Sequence, residues 1–493
     1  MAKKTLKIVH VASEVHPFSK TGGLADVVRS LPKALRRLGH EVIVITPFYG
    51  QVLDKKKYHL KEIGHDINIK IDKDNALKVI FWQGWLMEGL PIYFIENEKY
   101  FSRRKALYGS THENARFLLF NIAALKLLIH IKFAPDIIQC HDWQTGMIPQ
   151  LIKKGFDKNQ YLSKAATIFT IHNLAFQMGM DWWKVPLARK DFGVKKIPAF
   201  DDPRLEYINF AKRGILNADV ISTVSESYAQ EIMTPRFGQD LHRILSNRSD
   251  RLFGIINGID YFDYNPVTDP GLHKNFSFKS PERKAVNKAY IQKHFGLRQE
   301  PRAALLVMTS RVAEQKGFDL LAQILDMLMR MNLQLVIMGD GDKKYISILN
   351  KYHKEHAKRM VWSPFERKRE TSLYAAADMV LLPSRFEPCG LVQMKSSRYG
   401  AVPIARDIGG LSDTISDYNP RTGRGNGFEF KKYNAQDFLV AITRALTEYE
   451  HEENWKELVR HVMQMSTSWA IPATKYVTLY RSAIKLKEKN GKK

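Results

Sequence analysis

A few short stretches of this sequence carry the residue types that an anionic, sugar-bearing ligand would need. Lys20 stands just before the pair Gly22-Gly23. Side-chain-free amides at a helix start, under the positive end of the helix dipole, can accept a phosphate oxygen, and Lys20 adds a full charge. A plain glycine turn fits the same spacing. The stretch is neither a Walker loop nor a GxGxxG fingerprint, which argues against an ATPase or a dehydrogenase. Arg311 and Lys316 lie around a second loop, Ser310-Arg311-Val312-Ala313-Glu314-Gln315-Lys316-Gly317. The planar arginine fork and the lysine point charge can clamp a diphosphate, and two solvated surface charges are the bland alternative.

Arg385-Phe386-Glu387-Pro388-Cys389-Gly390-Leu391 is the most specific local block. A carboxylate beside glycine turns can accept hydrogen bonds from sugar hydroxyls while backbone amides donate to others. Asp142-Trp143 pairs a carboxylate with an apolar ring face, a combination suited to sugar, although a tryptophan alone is more often packed in a core. His172, in Thr170-Ile171-His172-Asn173, follows another apolar run, where a lone histidine is usually structural. Gly339-Asp340-Gly341-Asp342 suggests an acidic metal pair, but a turn after a strand explains it better. The two-cation clamp makes a divalent ion unnecessary, so no metal and no cofactor is expected.

The elements that must position these residues are Val- and Ile-rich runs alternating with stretches of helical period, the signature of βα units and buried parallel sheets. Strands are expected at 6–12, 42–46, 92–95, 137–140, 167–171 and 220–223, and again at 304–309, 335–338, 379–382 and 402–405. Leu24, Val27, Val28, Leu31, Leu35 and Leu38 set a helix after the glycine pair, which Pro32 is expected to bend or interrupt. The fold class is α/β: two doubly wound Rossmann-like domains facing a central cleft, since 493 residues exceed one compact core. The expected divisions are residues 1–264, a connector at 265–300, residues 301–470, and a C-terminal helix with basic tail at 471–493.

Composition excludes other classes. Two cysteines, Cys140 and Cys389, cannot form a disulfide framework for such a chain. No run approaches the roughly 20 apolar residues of a spanning helix, and the start Met1-Ala2-Lys3-Lys4 is not followed by a signal-peptide core, so a soluble cytoplasmic protein is expected, without a membrane partner. The net charge of +25, from 76 Lys plus Arg against 51 Asp plus Glu, invites a nucleic-acid reading. The charges are dispersed, with mild concentrations at 351–369 and 485–493, and no specific nucleic-acid partner is expected.

Lys20-Thr21-Gly22-Gly23-Leu24-Ala25-Asp26 resembles the N-terminal signature of the glycogen and starch synthases, and similar blocks recur in order over nearly the whole chain: His141-Asp142-Trp143-Gln144-Thr145-Gly146, the His172 block, Ile256-Asn257-Gly258, and the Arg311 and Glu387 blocks. The resemblance implies a retaining hexosyltransferase of the GT-B fold, with an acceptor-side N-terminal domain and a nucleotide-sugar-binding C-terminal domain. It implies transfer of glucose from ADP-glucose to the non-reducing end of glycogen or a malto-oligosaccharide. It assigns Lys20, Gly22, Gly23, Arg311 and Lys316 to the donor phosphates, and Glu387, Cys389 and Gly390 to the donor glucose. Asp26 falls near the active site, Asn257 is an active-site amide, Asp142 lies on the acceptor side, and His172 faces the reacting carbon. Cys389 reads as a small packing residue and not a nucleophile. Lys395 stands where many other transferases of the same two-domain fold carry a second glutamate, an acid that glycogen synthases also lack. Met178 replaces an expected glycine, Tyr264 an expected tryptophan, and Gln239-Asp240 a glycine-containing turn.

A related transferase acting on another acceptor or on a uridine nucleotide remains open at this stage. So does a glucan-binding or nucleic-acid-binding protein that keeps the scaffold without the chemistry.

Overall fold

The computed structural model describes residues 5–104, 106–109 and 111–491. Parts of the expected segments at the start, Met1 to Lys4, and in the basic tail, Lys492 and Lys493, lie outside the described residues. The chain forms two compact units, Met1–Asn257 with Trp469–Lys493, and Gly258–Ser468.

The first unit holds nine strands: β1 (Lys7–Val11), β2 (Glu41–Pro47), β3 (Lys61–Lys70), β4 (Ala76–Met87), β5 (Leu90–Glu96), β6 (Ile137–His141), β7 (Ala166–Ile171), β8 (Val220–Thr223) and β9 (Leu252–Gly254). Their order is β3-β4-β5-β2-β1-β6-β7-β8-β9. From β5 to β9 every pairing is parallel, whereas β3, β4 and β5 pair antiparallel. The chain reverses its winding at β1, which pairs with β2 on one side and β6 on the other. β1 carries Ile8, Val9 and Val11, all almost fully buried, because helices cover both faces of a parallel sheet.

The second unit holds β10 (Ala304–Thr309), β11 (Leu333–Met338), β12 (Met360–Ser363), β13 (Met379–Leu382), β14 (Val402–Arg406) and β15 (Phe428–Phe430) in the order β12-β11-β10-β13-β14-β15. All pairings are parallel, and the winding reverses at β10. Both sheets are therefore doubly wound α/β sheets, as expected. In such sheets ligands bind beyond the strand carboxyl ends at the reversal point.

Four features differ from the sequence expectation. The helix Gly23–Arg37 runs unbroken through Pro32, whose ring is buried. The segment expected as a connector belongs to the second unit and contains the helix Lys284–His294. The last helix, Ala470–Gly491, returns to the first unit: Ala473, Tyr476, Val477, Tyr480 and Ala483 form an apolar stripe on that unit's core, and Tyr480 Oη donates to Gln139 Oε1 at 2.5 Å. The antiparallel β3–β4 ribbon is absent from the expected strands: β3 alternates charged and apolar residues, whereas β4 does carry an apolar run, Val79 to Trp82. Among the described residues no helix is long and apolar enough to cross a membrane.

Candidate active site

Most of the residues singled out from the sequence follow strands at or near a winding reversal, Asn257 after the edge strand β9 being an exception. In the first unit these are the loop after β1, the turn after β6 and the turn after β7. In the second they are the loops after β10 and β13.

After β1 the chain loops through residues 12–22 into the helix Gly23–Arg37. Lys20 does not project alone: its Nζ donates to both carboxylate oxygens of Asp26 at 2.6 Å. Asp26 sits one turn into the helix and thus positions the ammonium. The turn is built on Glu14, a buried carboxylate that accepts from the Thr21 amide, the Thr21 hydroxyl and the Gly22 amide. Burial raises the Glu14 pKa, and those donors act against the rise. The Gly22 amide is therefore engaged within the turn, and Gly22 and Gly23 are both exposed. A Cβ at Gly22 would meet nothing within 4 Å.

Asp142, after β6, has φ 57° and ψ −178°, a backbone conformation that costs a non-glycine residue about 1–3 kcal/mol. Its own amide donates to Thr170 O at 2.9 Å and its Oδ1 accepts from the His172 amide at 2.7 Å, tying the end of β6 to the end of β7. Burial pushes the Asp142 carboxyl up to about 7, against the pull of the His172 and Asn173 amides. Trp143 is not available as a sugar platform. It is 5% exposed and packs edge-on against Phe117 at 5.1 Å, so its size supports the core.

His172 ends a chain of three imidazoles: His10 Nδ1 lies 3.0 Å from His141 Nε2, and His141 Nδ1 lies 2.9 Å from His172 Nε2. Burial lowers His10 and His172 to about 3 and holds His141 well below the ordinary imidazole range, so all three rings are neutral near pH 7. The sequence reading missed the linkage because His10 lies inside β1, where alternation marks only a buried position.

The departures from the expected pattern have local explanations. Met178 is buried with Trp182 and Val185, and the close approach falls one residue later, where a Cβ on Gly179 would lie 2.4 Å from Glu113 Cβ. Gln239 and Asp240 both take positive φ, at 47° and 68°, and are held there by bonds from Gln177 Nε2 to Gln239 O and from Trp182 Nε1 to Asp240 Oδ2. Asn257, the last residue of the first unit's long segment, is buried, and its Oδ1 has no hydrogen-bond partner among the described residues.

In the second unit Lys316 Nζ donates to Glu387 Oε2 at 2.5 Å, and Ser384 Oγ donates to the same oxygen at 3.0 Å. Arg311 is exposed on the same loop as Lys316, and its Nη2 reaches Gln315 Oε1 at 3.1 Å. Thr309, Ser310, Lys316, Ser384, Glu387 and Gly390 line one small cavity at the β10 and β13 ends. The wall is tight. A Cβ on Gly410 would lie 2.3 Å from Cys389 Cα, and the Gly410 amide donates to Glu387 O at 3.0 Å. Cys389 is thus a buried packing residue and forms no disulfide. Lys395 is paired with Glu370 at 3.2 Å, beneath the ring of Tyr264 at 4.7 Å. Asp340 and Asp342 serve the backbone: one accepts from the Phe365 amide, the other caps the helix Lys343–Glu355. No cluster of metal-ligating side chains occurs among the described residues.

Two doubly wound units, each with charged and glycine-bearing loops at its reversal strand, are the make-up of a GT-B glycosyltransferase. Residues 7–247 match the family described as starch synthase catalytic domain, and residues 291–462 the one described as glycosyl transferases group 1. The glycogen synthase of Geotalea daltonii is 41% identical over 97% of this chain and 98% of its own length, and that of Moorella thermoacetica is 42% identical over 98% and 97%. The catalytic domain of starch synthase IV from Arabidopsis thaliana, solved bound to ADP and acarbose, superposes with a TM-score of 0.86 at 33% identity, covering 98% of this chain and 100% of that one. The chain belongs to the glycogen and starch synthase family.

Proposed function

We propose that this enzyme transfers glucose from ADP-glucose to the non-reducing end of an α-1,4-glucan, glycogen or a malto-oligosaccharide, with retention of the α configuration. The observation that carries the reading is the cavity at the β10 reversal, where Lys316, Glu387 and Gly390 come together beside Arg311. A cation and a carboxylate on one wall suit a ligand that joins phosphate to sugar hydroxyls. The starch synthase IV domain, solved with ADP and acarbose, supports the same ligand class.

In this reading the second unit holds the donor. Glu387 and backbone groups near Cys389 and Gly390 take the glucose hydroxyls, and Arg311 and Lys316 take the diphosphate. The first unit's own phosphate-binding candidates are Lys20, fixed by Asp26, and the helix start at Gly22-Gly23, and its sugar and acceptor candidates are Asp142, His172 and Asn257. Negative charge builds on the departing diphosphate as the sugar becomes oxocarbenium-like. Fixed cations stabilise that charge without reorganising, an effect worth about 10²–10³ in rate per donor group. The acceptor hydroxyl attacks from the face the diphosphate leaves, and a donor phosphate oxygen takes its proton, so the anomeric configuration is kept.

The test is release of ADP or UDP from each glucose donor, with and without glycogen, in the presence of a metal chelator, with the anomer of the new linkage read by NMR. Glycogen-dependent ADP release that survives chelation and gives α linkages is expected. Preference for UDP-glucose would overturn the donor assignment, and no release from either donor would overturn the enzymatic reading.

A further inference from the structure

Two of the three linked histidines, His10 and His141, have no role in the reading above, yet they are fully buried at the sheet's reversal strand and its neighbour. Burying three imidazoles in line requires each to share its single N–H consistently, and only two arrangements do so. In one, every ring donates toward His172: His10 Nδ1–H to His141 Nε2, then His141 Nδ1–H to His172 Nε2, leaving a proton on His172 Nδ1. In the other, every ring donates toward His10, which leaves a proton on His10 Nε2 and a bare nitrogen at His172 Nδ1.

The far end decides between them. His10 Nε2 is buried and has no hydrogen-bond partner among the described residues. A buried N–H without an acceptor is rarer in folded proteins than an unsatisfied acceptor, so the His10 end favours the bare nitrogen. The neutral charge state of all three rings is consistent with either arrangement, and the choice therefore rests on geometry. His172 is also fixed along its backbone, by the 2.7 Å bond from its amide to Asp142 Oδ1.

We infer that His10 and His141 are positioning residues that lock His172 as its Nδ1–H tautomer, so that it presents a hydrogen-bond donor to an oxygen of the bound sugar. The inference rests on the reading that places His172 at the reacting sugar. A donor at that point fixes the sugar ring, and it would be lost if His172 adopted the other tautomer or rotated freely. Neither His10 nor His141 needs to touch substrate for its loss to be felt.

The experiment is ring-nitrogen NMR of the full-length enzyme labelled with ¹⁵N-histidine, with His172 assigned through His172→Ala, alongside kinetics of His10→Phe and His10→Asn. The expected spectrum shows His172 protonated at Nδ1. His10→Phe keeps the packing but removes the bond, and kcat falls about 10-fold with mixed His172 tautomers. His10→Asn places an amide nitrogen near the Nδ1 position, and restores both the tautomer and kcat to within about 3-fold. His172 protonated at Nε2 in the wild type, or wild-type kcat in His10→Phe, overturns the relay. Wild-type turnover in His172→Ala overturns the sugar-side reading as well, because the tautomer would then serve no reacting group.

Discussion

Lys316 Nζ rests 2.5 Å from Glu387 Oε2, and in the first unit Lys20 makes the equivalent bond to Asp26 at 2.6 Å. In each case a lysine assigned to the donor phosphates is aimed by a carboxylate fixed in the fold. Such a largely buried pair holds the long side chain in one rotamer, so its entropy is already lost before ligand arrives. Lys316→Ala is expected to lower kcat about 10²–10³-fold, the loss typical of one preorganised charge donor. The thermal midpoint should move by no more than about 3 °C, because Lys316 is itself partly exposed and Ser384 still donates to the buried Glu387 carboxylate after Lys316 is removed. ADP release and a thermal melt on the same preparation check both.

Gly22 in the first unit and Gly410 in the second separate ligand effects from folding effects. Gly22→Ala finds open space and an extended backbone, φ −151°, so its fold should be unaffected while the new methyl obstructs the helix start. The expected result is an unchanged melt and a donor KM raised at least about 5-fold, since misplacing a reacting group by about 1 Å costs up to 10²-fold. Gly410→Ala instead drives a Cβ to 2.3 Å from the Cys389 backbone. Overpacking of that kind costs about 1–3 kcal/mol, so the melt should fall with activity.

Burial depresses the folded-state pKa of His10 from 6.5 to about 3, so its stabilising contribution is complete above 6.5 and is lost as pH falls toward 3. His172 and His141 act in the same direction. Asp142, raised to about 7, acts oppositely: its contribution is complete below its ordinary carboxylate pKa and is lost as pH rises to 7. A difference measurement isolates His10. The destabilisation caused by His10→Phe, from urea unfolding, should be smaller at pH 4.5 than at pH 7.5 by about 2 kcal/mol, at up to about 1.4 kcal/mol per pH unit for one proton. An equal cost at both values would mean that His10 titrates normally in the folded chain.

All ten strands expected from the sequence are present within a residue or two, because fully buried parallel strands must be apolar runs and such runs are visible without alignment. The strands not expected are β3, whose alternation carries charge, its partner β4, whose apolar run Val79 to Trp82 pairs antiparallel outside the βα pattern, and β9, β12 and β15, which are only three or four residues long. Site residues were legible where a charged side chain follows an apolar run, as at Lys20, Arg311 and Glu387. What was not legible is pairing at a distance: Lys316 with Glu387, or His10 with His141, joins residues 71 and 131 positions apart that only the sheet order brings together. The strain at Asp142 was equally hidden, since an aspartate carries no mark of positive φ.

That strain supplies the sharpest separation of stability from activity. Asp142 occupies φ 57° with an extended ψ, a region that glycine enters freely and alanine does not. Its carboxylate meanwhile holds the His172 amide at 2.7 Å. Asp142→Gly and Asp142→Ala both delete that bond, so they differ chiefly in backbone cost. The glycine variant should be the more stable by about 1–3 kcal/mol in urea unfolding. Both should lose kcat by at least about 10²-fold if the carboxylate holds the β6 and β7 turns in a working geometry. Equal stability of the two variants would show that the conformation is not strained. A glycine variant that is both more stable and fully active would show that the aspartate serves neither His172 nor the reaction.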